Sequence, residues 1–362
     1  MTERLPEWPL FGLAEDVRPA LRAALEAGEP TALATIVALD GGGPRPLGTQ
    51  MVFARHLVSG FLSGGCLEAD VAGHATGVIE SGRPLRLIYG EGSPWPDIRL
   101  MCGARVEILL ERIAPADEAA DRLFALTEAR APALWLSDGA RRACGPLDSP
   151  PPGWPGAFRK LYEPRPRLVV LGGDPAALAM ATLGVQAGWE TFLVRPRGPS
   201  GPPPISGIAY RREDPAEALA AIGLDAWTAV AVASHDADLD HAALTAALPS
   251  KAVYVGAQGA RRRTPERNAR LAAAGLSAED IARLRSPIGL DIGGKAPWEV
   301  AIAVLAEITD LRNAARTRFE VAAGRPIGEG GGPPRKDVHD APAPDRARRS
   351  DARTKASLRG YA

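Results

Sequence analysis

The sequence predicts an α/β protein in which an N-terminal α+β domain precedes a doubly wound parallel sheet and a disordered C-terminal tail. Three observations predict this architecture. Short apolar runs alternate with helical patterns through the second half of the chain. A proline-rich stretch separates that half from the first. Residues 324–362 contain few large apolar side chains. The total length of 362 residues is consistent with about two domains.

The first half, residues 1–144, is predicted to be the α+β domain. Residues 14–27 have the spacing of an amphipathic helix, with Val17, Leu21, Ala24 and Leu25 on one face. Residues 31–39 are apolar and β-branched, as expected for a buried strand. Further strands are predicted at 51–54, 85–89, 105–113 and 133–136, and helices from Gly64-Gly65 to about 80 and at 116–130.

Residues 145–166 are rich in proline and show no periodic run, so we predict a linker. Residues 167–312 then alternate between strand and helix patterns. Strands are predicted at 168–171, 190–194, 229–233 and 252–255, and helices at 177–188, 214–222 and 238–247, with a last helix beginning at 296–297. Right-handed crossovers between such strands give a Rossmann-like, doubly wound parallel sheet.

The tail, residues 324–362, is predicted to be disordered because it buries too little apolar surface to offset the entropy of folding. Residues 325–362 hold nine Lys/Arg against five Asp/Glu, a mildly basic balance. We expect a solvated appendage rather than a binding arm.

Composition excludes several classes of partner and indicates a cytoplasmic protein. The chain has 43 basic and 43 acidic residues, so it offers no long-range field for nucleic acid or an anionic membrane. No apolar run approaches the ~18 residues of a membrane span, and no signal peptide is recognised. The three cysteines, Cys66, Cys102 and Cys144, form an odd, sparse set, which favours reduced thiols.

The first candidate site is Gly64-Gly65-Cys66-Leu67-Glu68, at the start of a predicted helix. Glycines let the backbone approach a ligand closely, and helix N-terminal N–H groups stabilise a thiolate or bind an anion. Such a cysteine can bind a soft metal, carry sulfur or act as a nucleophile. The alternative is a small buried residue in a glycine-rich turn.

The second candidate is the loop at residues 41–48, where Arg45 stands between two prolines. It can present a rigid fork to a phosphate or a pterin carbonyl, or it can be an exposed arginine in a surface hairpin. Cys102 precedes a strand and would share a ligand with Cys66 only if the two lie close together. Cys144 is expected to be idle.

The third candidate is the turn Gly172-Gly173-Asp174 between a strand and a helix, where dinucleotide-binding folds place their glycine-rich turn. The match is poor. Asp174 puts a negative side chain where a pyrophosphate would approach, and Arg195 stands where an acidic residue is expected. NAD(P) binding is therefore the disfavoured alternative, and Arg195 and Arg197 are either phosphate ligands or surface charges.

The fourth candidate follows the strand at 229–233. Ser234-His235-Asp236 is predicted to lie at the carboxyl edge of the sheet, followed by Asp238, Asp240 and His241. We favour a pocket-lining loop over a metal site, because a capping turn explains the acidic residues equally well. Residues 256–263 follow another strand and end in three arginines, which fit an anion site or a solvated helix start.

Together these motifs resemble the XdhC/CoxI family. The N-terminal stretches are GGGPRPLGTQMVFA, GFLSGGCLEADV and CGARVEILLE. The C-terminal stretches are LVVLGGDPAALA, ASHDADLD, AVYVGAQGARRR and SPIGLDIGGKAPWEVAIAVLAEI, the last covering residues 286–308. The resemblance spans about residues 30–310, and its specificity comes from several unrelated motifs that occur in order.

The resemblance implies an XdhC/CoxI-type N-terminal domain and a protein that binds molybdenum cofactor (molybdopterin). Such proteins assist sulfuration of the cofactor by a cysteine desulfurase and its insertion into a xanthine dehydrogenase-type molybdenum hydroxylase. We therefore expect an accessory chaperone more than a turnover enzyme. A homodimer suits this role, although no interface can be identified from the sequence.

Carried over to this chain, the resemblance makes Cys66 the candidate catalytic and metal-binding residue. The other implied cofactor-binding residues are Arg45, Gln50, Gly64, Gly65, Glu68, Gly172, Gly173, His235, Asp236, Gly289, Asp291, Gly293 and Lys295.

The chain departs from the family at Asp174, Arg195, Gln258 and Ala260, where members usually have Gly, Asp, Leu and Ser. These departures put a nucleotide role of the second domain in doubt. Two functions of other classes stay open: an NAD(P)-dependent oxidoreductase, and a scaffold for hydroxylase assembly that holds no cofactor.

Overall fold

The computed structural model describes residues 5–41, 43, 45–63, 65, 67–91, 93 and 105–322, with side chains to Arg316. The candidate residues Gly64, Cys66 and Cys102 lie outside the described residues, as does the predicted tail. The predicted fold class is confirmed: the described chain is a mixed α/β protein with a six-stranded parallel sheet.

The elements follow the sequence patterns closely. The strands are β1 Thr31–Asp40, β2 Gln50–Phe53, β3 Val58–Gly60, β4 Leu85–Tyr89, β5 Arg105–Ile113, β6 Ala133–Ser137, β7 Arg142–Pro146, β8 Phe158–Tyr162, β9 Arg167–Gly172, β10 Glu190–Val194, β11 Ile208–Arg211, β12 Thr228–Ala233, β13 Tyr254–Ala257 and β14 Leu284–Arg285. The helices are α1 Arg18–Glu26, α2 Glu68–Ser81, α3 Glu118–Glu128, α4 Pro175–Gln186, α5 Pro215–Ile222, α6 Ala237–Ala247, α7 Thr264–Ala273, α8 Ala278–Ala282 and α9 Pro297–Ala322.

An antiparallel sheet of order β3-β2-β1-β5-β4 forms the centre of the N-terminal half. Both faces of the sheet are covered, so β1 is apolar at successive positions rather than alternating with polar residues. Ala32, Ala34 and Ile36 pack in the core that includes α2, whereas Leu33 packs with α1 and α3 on the opposite face. The amphipathic face predicted for α1 is buried as expected.

A second antiparallel sheet has the order β7-β6-β8. The expectation that residues 145–166 hold no regular structure is wrong for β8, which pairs with β6 along its whole length. Tyr162 ends this strand, lies buried beside Trp135 with ring centroids 6.4 Å apart, and donates a hydrogen bond to Gln50. The sequence did not indicate this five-residue strand, because prolines flank it and because its pairing with β6 and the burial of Tyr162 depend on the tertiary structure.

The parallel sheet of the C-terminal half has the order β11-β10-β9-β12-β13-β14. The chain runs outward from β9 to β11 and then returns to place β12 beside β9. Helices α4 and α9 cover one face and α5, α6 and α7 the other. This is the doubly wound arrangement predicted, and its strand order reverses between β9 and β12. Strands β11 and β14 and helices α7 and α8 were not predicted.

Contacts between the two halves lie at the amino ends of the parallel strands. Arg130 follows α3 and donates hydrogen bonds to Asp225 Oδ2 at 2.7 Å, to Glu190 Oε2 at 3.0 Å and to the carbonyl of Arg165 at 3.0 Å. Although burial opposes it, hydrogen bonds from Arg130 and Thr228 hold the pKa of Asp225 below its usual value. Among the described helices, none combines the length and the apolar character that a membrane span requires.

Candidate functional site

The carboxyl ends of β9 and β12 bring together two of the candidate segments. These strands are adjacent and parallel, with Gly172 paired to Ala233, so the turns that follow them are neighbours. His235 Nε2 lies 2.9 Å from Asp174 Oδ2, which joins the two turns directly. We call this place the switch-point edge, because it lies where the strand order reverses and where open α/β sheets bind ligands.

Two carboxylates at the switch-point edge cap the helices that follow. Asp174 accepts a hydrogen bond from the Ala177 N–H at 2.7 Å and so caps α4. Asp236 accepts from the N–H groups of Asp238 and Leu239 and so caps α6. These backbone hydrogen bonds, with the guanidinium of Arg197, lower the pKa of Asp236. Asp236 therefore caps a helix, which is one of the two roles that the sequence left open for the acidic residues of this loop.

The capped α4 terminus is a poor pyrophosphate site, because the Asp174 carboxylate already accepts the Ala177 N–H and places a negative charge where the anion would bind. Gly172 and Gly173 still allow close approach of the chain: a Cβ on Gly172, where φ is +148°, would lie 2.3 Å from the carbonyl oxygen of Ala233. Within the described residues, no group of three or more His, Cys, Asp or Glu side chains is arranged to hold a metal ion.

The loop that enters α2 is held by the buried carboxylate of Glu68, which is 1% exposed. Its Oε1 accepts hydrogen bonds from the N–H groups of Leu62 at 2.9 Å and Ser63 at 2.6 Å. Its Oε2 accepts from the Ser63 hydroxyl at 2.7 Å and from the Leu67 N–H at 3.3 Å. The Glu68 carboxylate therefore closes the loop from both sides and points inward.

Gly65 lies in the middle of this loop. Its φ is +101°, a conformation that other residues rarely adopt, and a Cβ there would meet no atom within 4 Å. The residue is exposed. The described part of the loop thus combines a rigid, buried base with an open backbone.

The structure separates the roles of Arg45 and Gln50. Arg45 donates from Nη2 to Glu15 Oε1 at 3.0 Å, and its buried Nε has no hydrogen-bond partner among the described residues. Gln50 is buried, and its amide is used at both ends: Nε2 donates to Thr35 at 3.0 Å and Oε1 accepts from Tyr162 at 2.7 Å. Gln50 therefore ties β8 to β2, and its amide is engaged within the core.

The C-terminal motif forms a loop against β13 and α9. Gly289, where φ is +82°, donates its N–H to Glu307 Oε2 at 3.0 Å, and the hydroxyl of Tyr254 donates to the same oxygen at 2.7 Å. Burial, followed by the Glu307 charge, raises the pKa of Tyr254. Sequence reasoning missed Glu307, although an acidic residue within the apolar stretch of α9 was a signal for it.

The rest of this motif is exposed. Asp291 lies 3.4 Å from Arg261 in an ion pair, and Gly293 adopts a φ of +82°. The backbone N–H of Lys295 donates to Glu299 at 2.9 Å, while its side chain is exposed. The predicted site residues therefore form three groups, at the switch-point edge, in this motif loop and in the N-terminal loops. The described contacts between the halves lie at the opposite end of the parallel strands from the switch-point edge.

Comparison with known proteins gives two family matches. Residues 168–308 match the XdhC Rossmann domain, and residues 24–90 match the XdhC and CoxI family. The first match covers the parallel sheet from β9 to α9. The second covers strands β1 to β4 and helix α2, including the Arg45 and Glu68 loops.

Relatives match across both halves. The molybdenum cofactor insertion chaperone PaoD of Escherichia coli (strain K12) is 32% identical over 306 residues, covering 83% of this chain and 90% of PaoD. A probable xanthine dehydrogenase subunit of Bacillus subtilis (strain 168) is 26% identical over 332 residues, covering 81% of this chain and 96% of the relative.

A solved structure supports the same architecture. A Bacillus halodurans protein described as a xanthine dehydrogenase aligns with a TM-score of 0.66 and 22% identity, covering 82% of this chain and 96% of that one. At this identity the likeness concerns the fold. The family matches to both halves, together with PaoD at 32% identity over most of both chains, show that this chain belongs to the XdhC and CoxI family.

Proposed function

We propose that this protein is a maturation factor that binds molybdenum cofactor, assists its sulfuration and promotes its insertion into a xanthine dehydrogenase-type molybdenum hydroxylase. The observation that carries the proposal is the match to PaoD, a molybdenum cofactor insertion chaperone, over 90% of its length. The cofactor is cargo here, so its binding must be reversible and no turnover of a metabolite is required of the chain.

The residues fit such a cargo in two ways. The cofactor carries a phosphate and a soft dithiolene–molybdenum unit, for which arginines and a thiolate are suitable ligands. Within the described ranges, Arg45 keeps a buried Nε without a partner, and Glu68 holds the base of the loop that carries the GGC motif. We assign Cys66 as the residue that contacts the metal unit, with Glu68 as the residue that positions its loop.

The partners follow from the same role. A hydroxylase of the xanthine dehydrogenase type receives the cofactor, and a cysteine desulfurase supplies the sulfur. A cytoplasmic location and a homodimer remain predictions. An NAD(P)-dependent oxidoreductase is not favoured, because Asp174 occupies the α4 terminus that a dinucleotide would need.

The test is retention of cofactor by the purified full chain. Molybdenum cofactor released from a hydroxylase is mixed with wild type, Cys66→Ala or Cys144→Ala, and pterin fluorescence that co-elutes with protein is measured after gel filtration. Cys144 is the matched control, because burial raises the pKa of its thiol to about 12 and keeps it protonated. We expect wild type and Cys144→Ala to retain pterin and Cys66→Ala to retain much less.

Three outcomes would contradict parts of this proposal. If wild type retains no pterin while a known cofactor-binding protein does, cofactor binding is wrong. If Cys66→Ala retains pterin as well as wild type, the role of Cys66 is wrong. If wild type retains pterin but fails to activate a cofactor-free hydroxylase, insertion is wrong.

A further inference from the structure

The side chain of Arg195 lies close to two glycines at the switch-point edge. It is the first residue after β10, and its side chain crosses the glycine turn that follows β9. A Cβ on Gly173 would lie 2.3 Å from Arg195 Nε, and a Cβ on Gly198 would lie 2.8 Å from its Cδ. The side chain therefore passes close to both glycines, so a methyl group on Gly173 would displace its guanidinium end.

The charged side chains near Arg195 at this edge are paired with one another. Asp174 is paired with His235 at 2.9 Å, and Asp236 with Arg197 at 2.8 Å. Within the part of the chain that the structure describes, the guanidinium of Arg195 has neither a hydrogen bond nor an ion pair. The residue is exposed at the position where open α/β sheets bind their ligands.

The neighbouring helix terminus is closed to an anion. The Asp174 carboxylate takes the Ala177 N–H at the start of α4 and places a negative charge beside it. The Asp174 carboxylate would therefore repel an anion from the helix terminus, whereas Arg195 would offer it a guanidinium. A guanidinium presents two parallel N–H donors, which match two oxygens of a phosphate.

We propose that Arg195, positioned by Gly173 and Gly198, is the binding residue for a single phosphate ester at the switch-point edge. Two ligands carry this chemistry: the pterin of molybdenum cofactor, which ends in a phosphate, and a nucleotide. The pterin assignment rests on the proposed function, whereas the phosphate ester subsite does not.

The experiment compares full-length wild type with Arg195→Ala, Arg195→Lys, Gly173→Ala and Arg165→Ala. Arg165 is the matched control, since it is an exposed arginine at the amino end of β9 and its loss changes the net charge equally. Retention of released molybdenum cofactor is measured by pterin fluorescence. Binding of cytidine monophosphate, NADPH and inorganic phosphate is measured by calorimetry in the same buffer.

We expect Arg195→Ala to weaken binding of the phosphorylated ligand about ten- to hundredfold, the loss of a charge-assisted pair. Arg195→Lys should restore part of the affinity because it keeps the charge and loses the fork. Gly173→Ala should weaken binding because its methyl group displaces the guanidinium. Arg165→Ala should bind as wild type does.

The outcomes separate the subsite from the function. If wild type retains cofactor and Arg195→Ala retains it equally, the phosphate subsite is wrong and the maturation role stands. If wild type retains no cofactor but binds a nucleotide in a manner that depends on Arg195, the subsite stands and cofactor binding is wrong. A loss in Arg165→Ala as large as that in Arg195→Ala would overturn the subsite, since it would show a general effect of charge.

Discussion

Replacing Glu68 tests whether one buried carboxylate organises the loop that carries the GGC motif. The carboxylate accepts three backbone N–H bonds and one hydroxyl bond, from Leu62, Ser63 and Leu67. In Glu68→Ala all four donors lose this acceptor, and at least the buried Leu62 and Ser63 N–H groups are left unsatisfied. Each such group costs about 1–3 kcal/mol, so the loss expected from these two groups is roughly 2–6 kcal/mol.

Glu68→Gln is the milder and more informative change. The amide keeps one oxygen for Leu62 and Ser63 but turns an NH₂ group towards the Leu67 N–H, and it removes the charge. We expect a loss of about 1–2 kcal/mol in the free energy of unfolding, together with weaker retention of cofactor, because the loop geometry changes while the fold persists.

The assay is urea denaturation monitored by circular dichroism and tryptophan fluorescence, combined with the pterin retention experiment. Glu80→Gln is the control, since Glu80 is an exposed acid on the same helix and should change stability by less than about 0.5 kcal/mol. The reasoning is refuted if Glu68→Gln matches Glu80→Gln in both stability and retention.

Two further predictions concern the contact between the halves and the C-terminal motif. Arg130→Ala should cost roughly 2 kcal/mol at neutral pH. Because the folded-state pKa of Asp225 is lowered, the stability that its charged form contributes is present above its unfolded pKa and is lost as the pH falls below about 4. The urea midpoints of wild type and Arg130→Ala should therefore converge in acid. A difference that stays constant with pH would contradict this. Gly289→Ala should lower the midpoint of thermal unfolding more than Gly293→Ala does. Both glycines have a φ of +82°, so the backbone strain is the same at the two positions. Only at Gly289 would a Cβ also contact α9, with the Val304 nitrogen 3.0 Å away. Equal shifts in midpoint would show that packing against α9 is unimportant.

Much of the fold follows from local pattern. Runs such as residues 168–171 and 229–233 are apolar on both faces because helices cover both sides of a parallel sheet. The intervals between them fix the positions of α4, α5 and α6, and Pro297 marks the start of α9. Strand β8 was not predicted because it is short and lies between prolines, and its stability comes from pairing with β6 and from Tyr162.

The candidate site divides in the same way. The sequence by itself placed Gly172, Gly173, His235 and Asp236 at the carboxyl edge of the sheet, since residues that follow parallel strands share that edge. Only the tertiary structure showed that His235 pairs with Asp174 and that Gln50 is engaged in the core. It also showed that Arg195 lies beside two glycines and has no side-chain partner in the described part of the chain. Hydrophobic periodicity is a pattern among residues close together in the chain, so the sequence alone reveals it. The partner of a buried carboxylate or an exposed guanidinium depends on which distant segments folding brings within about 3 Å of it.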